Sequence, residues 1–191
     1  MDIGLRGLYM WFGLTGRNAS GKTTVVEWLV SQGFAATSCS DSIRTHLRKE
    51  GREINRDNLI AGGRELRSAQ GPAILAEMLR DSNQHVEKLV IDSIRTPAEV
   101  EALRERENFR LIEVRTSREV RWQRLQARGR TGDPIDWETF VQQEESELVA
   151  SDDSGQALLA TAEMADIVII NDSDADSLIK SLEVLLKPDV L

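Results

Sequence analysis

The chain has a single cysteine, Cys39. It cannot close an internal disulfide and lacks the partners for a cysteine metal cluster, so a reducing, cytoplasmic setting is expected. No apolar run approaches the roughly 20 residues that a membrane-spanning helix needs, so no membrane role is expected. The opening "MDIGLRGLYMWFGL" has a short apolar stretch but neither a basic leader nor a small-residue cleavage site; its apolar part reads as a buried strand. Positive charge is scarce as well. Against 32 Asp and Glu stand 24 Lys and Arg, a formal net charge of −8. That balance argues against a general nucleic-acid or anionic-membrane binder, while leaving room for a local basic pocket. There is no repeat at a solenoid period and no low-complexity linker, so the 191 residues are expected to form one domain, 1–191.

Five apolar runs of strand length are present: "LYMWFGL", "FAATSC", "KLVID", "FRLIEV" and "DIVII". Longer segments with helical periodicity lie between them. Strands alternating with helices imply a parallel sheet covered on both faces, a three-layer α/β/α fold with five parallel strands. In "TPAE", Thr96 is placed to cap a helix, Pro97 to open it and Glu99 to complete a capping box. Near the end, Leu178, Leu182 and Leu185 share one helical face, and the helix should stop at Pro188. Residues 41–82 are too long for one crossover and predict an insertion of two or three helices that caps a pocket.

Gly16 to Thr23 reads G-R-N-A-S-G-K-T, a full match to the phosphate-binding pattern G-x-x-x-x-G-K-[ST]. Glycines let backbone N–H groups turn inward around phosphate oxygens without a Cβ in the way. The loop from Gly16 through Asn18, Ala19, Ser20 and Gly21 to Thr24 would cradle the phosphates of ATP. Lys22 would reach the β- and γ-phosphates, and Thr23 would bind Mg²⁺. A helix beginning there adds its dipole. Such a loop needs a carboxylate for the magnesium shell at the end of a neighbouring strand, and Asp92, closing "KLVID", is placed for it.

The chain has no Asn-Lys pair of the kind a guanine-reading N-K-x-D motif needs, and no L-S-G-G-Q-like signature. "DDSG" (Asp152 to Gly155) follows no strand and reads as a solvated turn. A small kinase, or a binding module on the same core, remains. A kinase needs cations on the transferring phosphoryl group and anchors for its acceptor. In "REVRWQRLQARGRTGDP", Arg121, Arg124 and Arg128 fall within about 60° of one another on a helix. Arg130 follows in a turn flanked by Gly129 and Gly132, so 118–133 reads as an arginine-rich lid. Acceptor anchors are sought where strands end: Asp41 and Arg44 in "SDSIR", Arg95 in "DSIRTP", and Arg67 in the insertion. Asp41 would take a proton from an attacking hydroxyl or cap a helix starting near Ile43. His46 and His85 stand apart from any ligand-like spacing and are assigned nothing. The four tryptophans are expected in the core or the lid.

Over nearly its whole length the chain resembles the nucleoside monophosphate kinase-like family of P-loop kinases. The branch is the one that holds deoxynucleoside monophosphate kinases and dephospho-coenzyme A kinase. It is also similar to the kinase-like N-terminal regions of some deoxycytidylate deaminases. The stretches that carry this are "GLTGRNASGKTT", "SDSIR", "ELRSAQGPAILA", "VIDSIRTPAEVEALR", "RLQARGRTGDP" and "MADIVIIND". The resemblance implies Arg124, Arg128 and Arg130 as lid cations, Arg44 and Arg95 on the acceptor phosphate, and Asn171 and Asp172 near the donor adenine. It implies an ATP- and Mg²⁺-dependent kinase acting on a (deoxy)nucleoside monophosphate. Two alternatives stay open: a dephospho-coenzyme A kinase-like enzyme with Asp41 as base, and a nucleotide-binding module that regulates a partner enzyme such as a deaminase. A homodimer is compatible with either. "DSIR" replaces the D-G-[FY]-P-R turn common in adenylate kinases, and the lid has no zinc-binding cysteines.

Overall fold

Successive residues of a strand point to opposite faces, so a strand that is apolar throughout must be covered on both sides. The computed structural model, which describes residues 10–130, 133–148 and 157–186, shows this. The strands are β1 (Met10–Thr15), β2 (Ala35–Ser38), β3 (Lys88–Asp92), β4 (Phe109–Arg115) and β5 (Ile167–Ile170). They form one sheet in the order β2-β3-β1-β4-β5, and every pairing is parallel. Trp11, Leu89, Ile91 and Leu111 face one core, while Phe12, Val90, Ile112 and Val114 face the other. The second core is closed by α1 (Lys22–Ser31) and α9 (Ala175–Leu185). The first is closed chiefly by α2 (Cys39–Lys49), α3 (Arg56–Gln70), α4 (Ile74–Ser82) and α5 (Pro97–Arg104). The three-layer α/β/α reading is correct. Among the described residues no helix is long and apolar enough to cross a membrane.

The insertion is three helices, α2 to α4, and it begins earlier than expected. Ser38 caps α2 by accepting a hydrogen bond from Ser40 N at 3.2 Å, so the helix starts at Cys39 rather than near Ile43. Asp41 is therefore an exposed first-turn residue and not the cap. The Thr96–Glu99 capping box forms as the sequence requires. In α9, Leu178 and Leu182 are buried with Leu186, but Leu185 is 44% exposed.

The segment 118–133 divides in two. Arg118–Arg128 is a regular helix, α6, packed on α7 (Trp137–Leu148), and it ends at Gly129. Gly129 has φ 51°, the left-handed conformation that ends a helix without a Cβ penalty. Trp122, Trp137 and Phe140 stack where α6 and α7 meet, and Trp11 lies in the core. A short helix, α8 (Leu158–Glu163), leads into β5. Gly132, "DDSG" and Pro188 lie outside the described residues.

Candidate functional site

At the C-terminal end of β1 the chain turns back over Gly16 to Gly21 and enters α1 at Lys22. The turn is tight enough to require its glycines. A Cβ on Gly16, at φ 133°, would stand 2.4 Å from the Val114 carbonyl oxygen. One on Gly21, at φ 101°, would stand 2.2 Å from Asn171 Nδ2. Ala19 also adopts a positive φ, 60°, which costs an L-residue about 1–2 kcal/mol. The loop is braced from behind. Asn171 Nδ2 donates to the Ser20 carbonyl at 2.8 Å, and the Thr116 hydroxyl lies 3.0 Å from both the Ser20 and Asn171 carbonyls.

Lys22 donates to the carbonyls of Gly16 at 2.7 Å and Arg17 at 2.9 Å. Its pKa is lowered to about 8, first by burial, with Asp92 opposing the shift. Asp92 closes β3 directly beside β1 and accepts from Ser93 N at 2.6 Å. Thr23 and Asp92 both line the same cleft, of about 570 Å³. A hydroxyl and a carboxylate of this kind, beside a backbone cradle that admits no Cβ, fit a phosphate-bound Mg²⁺.

The cleft also brings together Arg44 from α2, Arg67 from α3, Arg95 after β3, and Arg124, Arg128 and Arg130 from the lid segment. Their engagements differ. Arg124 donates to the Ser173 carbonyl at 2.7 Å and to Asn171 Oδ1 at 3.3 Å. Arg128 is paired with Asp133 at 2.7 Å and reaches Asn18 Oδ1 at 3.1 Å, which ties the lid to the phosphate loop. Arg44 pairs with Asp41 at 2.9 Å. Arg67 is buried and donates to Glu99 at 2.8 Å, while its Nε makes no hydrogen bond. Glu99, itself fully buried, also accepts from the backbone N–H of Arg95 and Thr96. The capping-box carboxylate thus holds an arginine of the cleft as well.

Three residues stand elsewhere than the sequence suggests. Asp41 does not line the cleft; one residue past Ser40, a helical turn of about 100° carries its side chain into solvent. Asn171 is buried and its amide is engaged by the loop backbone, so it supports the donor cradle from behind. Arg121 is 1% exposed and lies on the side of the lid helix that packs against α7. It pairs with Glu144 of α7 and donates to the Thr116 carbonyl at 3.0 Å. Burial, with Arg17 and Arg118 close by, lowers its pKa to about 10. Two lining residues carry no signal in the sequence: Glu147 near the end of α7, whose charge acts on Lys22, and Ser93, held at φ 65° just after Asp92. Glu147 reaches the cleft because a distant segment folds back; Ser93 follows from the end of β3.

The parallel sheet, the glycine loop opening α1 and the arginine-bearing segment after β4 define a P-loop kinase-like α/β domain. Known proteins agree with this class. The chain belongs to the AAA domain family AAA_18, which matches residues 13–150, and to the UPF0200 proteins. The UPF0200 protein of Thermococcus onnurineus is 31% identical over 166 residues, covering 83% of this chain and 86% of that protein. Shikimate kinase from Aquifex aeolicus shares the fold with a TM-score of 0.56 at 17% identity, covering 94% of this chain and 98% of that one. Shikimate kinase from Acinetobacter baumannii, solved with shikimate, gives 0.56 at 20% identity over 93% of both chains.

Proposed function

We propose that the protein is an ATP- and Mg²⁺-dependent small-molecule kinase whose acceptor is a (deoxy)nucleoside monophosphate. The observation that carries this is the single cleft: the phosphate loop, Thr23 and Asp92 open into the same space as six arginines from four separate segments. A module that only bound a nucleotide would have little use for cations on both sides of the phosphate loop. In this reading Lys22 leaves its loop carbonyls for the β- and γ-oxygens of the donor. Thr23 and Asp92 hold the metal, which when bound neutralises charge on the β- and γ-phosphates. Arg124, Arg128 and Arg130 stabilise the phosphoryl group in flight. Arg44, Arg67 and Arg95 orient the acceptor, for which a guanidinium fork suits a phosphate.

A hydroxyl acceptor, as in a dephospho-coenzyme A kinase-like reaction, has one observation in its favour. Glu147 places a carboxylate in the cleft where an attacking hydroxyl could be deprotonated, the role for which Asp41 is misplaced.

The test is to incubate the protein with Mg-ATP and a panel of nucleoside monophosphates and dephospho-coenzyme A, following ADP. Acceptor-dependent ADP with a monophosphate is expected, and Lys22→Ala should abolish it while the far-UV circular-dichroism spectrum stays that of the folded protein. Undiminished turnover in a folded Lys22→Ala protein would sink the kinase assignment. Tight nucleotide binding with no turnover on any acceptor would make the protein a regulatory module for a partner enzyme.

A further inference from the structure

Helices α2 and α3 cross closely because α3 carries Gly62 and Gly63 at the contact. A Cβ on Gly62 would come 3.2 Å from Ile43 Cγ2 and from Leu47 Cδ2. This crossing gathers three side chains that sequence distance separates, none of which lines the cleft. His46 and Glu50, four residues apart on α2 and its C-cap, share one edge. Glu65 of α3 comes up beside them, so that the three ligand atoms lie within 4.8 Å of one another. His46 Nε2 is 3.4 Å from Glu50 Oε1 and 3.8 Å from Glu65 Oε2. That nitrogen is shut off from solvent, yet it makes no hydrogen bond. The cation now seated on the two carboxylates is Arg52, whose Nη1 is 2.6 Å from Glu65 and 3.2 Å from Glu50.

We propose that His46, Glu50 and Glu65 form a binding site for a borderline divalent transition ion of the Zn²⁺ kind, an inference that stands apart from the kinase reading. Tetrahedral coordination with bonds of about 2.0–2.1 Å sets neighbouring ligand atoms about 3.3–3.4 Å apart. His46 and Glu50 already stand at that spacing, and Glu65 needs only a small side-chain adjustment. An imidazole with two carboxylates suits Zn²⁺, whereas Mg²⁺ and Ca²⁺ prefer all-oxygen shells. Charge also balances. Two carboxylates against Arg52 leave one net negative charge; an ion that displaces this partly exposed arginine makes the site neutral. The imidazole nitrogen, which makes no hydrogen bond, gains a bond to the ion. An ion here would pin the end of α2 to α3. The same two helices supply Ser40, Ile43, Arg44, Leu59, Ile60 and Arg67 to the cleft. It would thereby fix the width of the acceptor half.

The test uses the full-length protein freed of metal by a chelator and titrated with Zn²⁺, and separately with Co²⁺ as a spectroscopic probe, in excess Mg²⁺. One saturable equivalent is expected, with the strong visible absorption of tetrahedral Co²⁺. His46→Gln and Glu65→Gln should each weaken binding by at least about ten-fold, while His85→Gln, at a histidine outside the cluster, should not change it. Arg52→Gln is the discriminating variant. Removing the competing cation should tighten Zn²⁺ several-fold, whereas a purely ionic network would gain no affinity for metal. The proposal is overturned by absence of saturable binding in both the wild type and Arg52→Gln. It is equally overturned by binding that survives His46→Gln unchanged, because the ion then sits elsewhere.

Discussion

Lys22 holds its ammonium against two carbonyl oxygens of its own loop, and burial there has lowered its pKa from 10.5 to about 8. Between about pH 8 and 10.5 the folded protein therefore binds fewer protons at this group than the unfolded chain does. The group's unfavourable contribution to stability is complete below pH 8 and is relieved as pH rises through that window. Donor phosphates would favour the charged lysine, so nucleotide binding above pH 8 must draw in a proton, and affinity should fall as pH climbs further. Calorimetric titration with Mg-ADP at pH 8.5, in two buffers of different ionisation enthalpy, is expected to show uptake of a large fraction of a proton. Uptake indistinguishable from zero would contradict the lysine–phosphate contact. Residue by residue, the loop was legible because its backbone chemistry demands glycine and lysine at fixed spacing. The roles of Asp41, Asn171 and Arg121 were not, because each depends on which way a side chain faces once a second segment is in place.

At the scale of elements, continuous apolar runs located the strands, and the phosphate loop and the Thr96 capping box located the starts of α1 and α5, since these are local requirements of hydrogen bonding and burial. The lid helix shows the boundary of such reasoning. Periodicity puts Arg121, Arg124 and Arg128 on one side of α6, but α7 covers the edge of that side nearer Arg121 and leaves the rest to the cleft. Helix crossing is similarly invisible in a single helix: Gly62 and Gly63 weaken α3 taken alone and earn their place only against α2. Gly62→Leu should force α2 and α3 apart and lower stability by about 1–3 kcal/mol, read by urea unfolding. The same variant should widen the cleft between α2 and α3, and under the proposed kinase reading raise KM for the acceptor more than it lowers kcat. An unchanged urea midpoint would show that the crossing is looser than described.

Across the whole molecule, one buried carboxylate ties together parts of the chain more than a hundred residues apart. Glu144 of α7 meets Arg118 and Arg121 of α6, and Arg17 of the phosphate loop at 3.6 Å. Three guanidinium groups around one carboxylate leave an excess of positive charge, so removing the anion would strand a fully buried Arg121. Glu144→Gln is expected to cost about 3 kcal/mol of stability, against less than about 0.5 kcal/mol for Glu145→Gln on the exposed side of the same helix. Denaturant melts of the two variants measure the difference, and equal values would remove Glu144 from the framework. The cluster also makes α7 answer to the phosphate loop, which local sequence gives no hint of.

By itself the sequence determined the five parallel strands, the phosphate loop with Lys22 and Thr23, and Asp92 at the end of the strand beside it. These follow from local rules: continuous apolar runs for strands covered on both faces, glycine where a Cβ has no room, a carboxylate where a strand ends. Tertiary structure alone decided which arginines line the cleft, which pair with buried Glu99 and Glu144, and that Glu147 rather than Asp41 lines the cleft. It alone brought Glu65 to His46. Those outcomes depend on the angle at which one helix crosses another, and that angle is fixed by packing between residues far apart in the chain, where sequence spacing carries no direction.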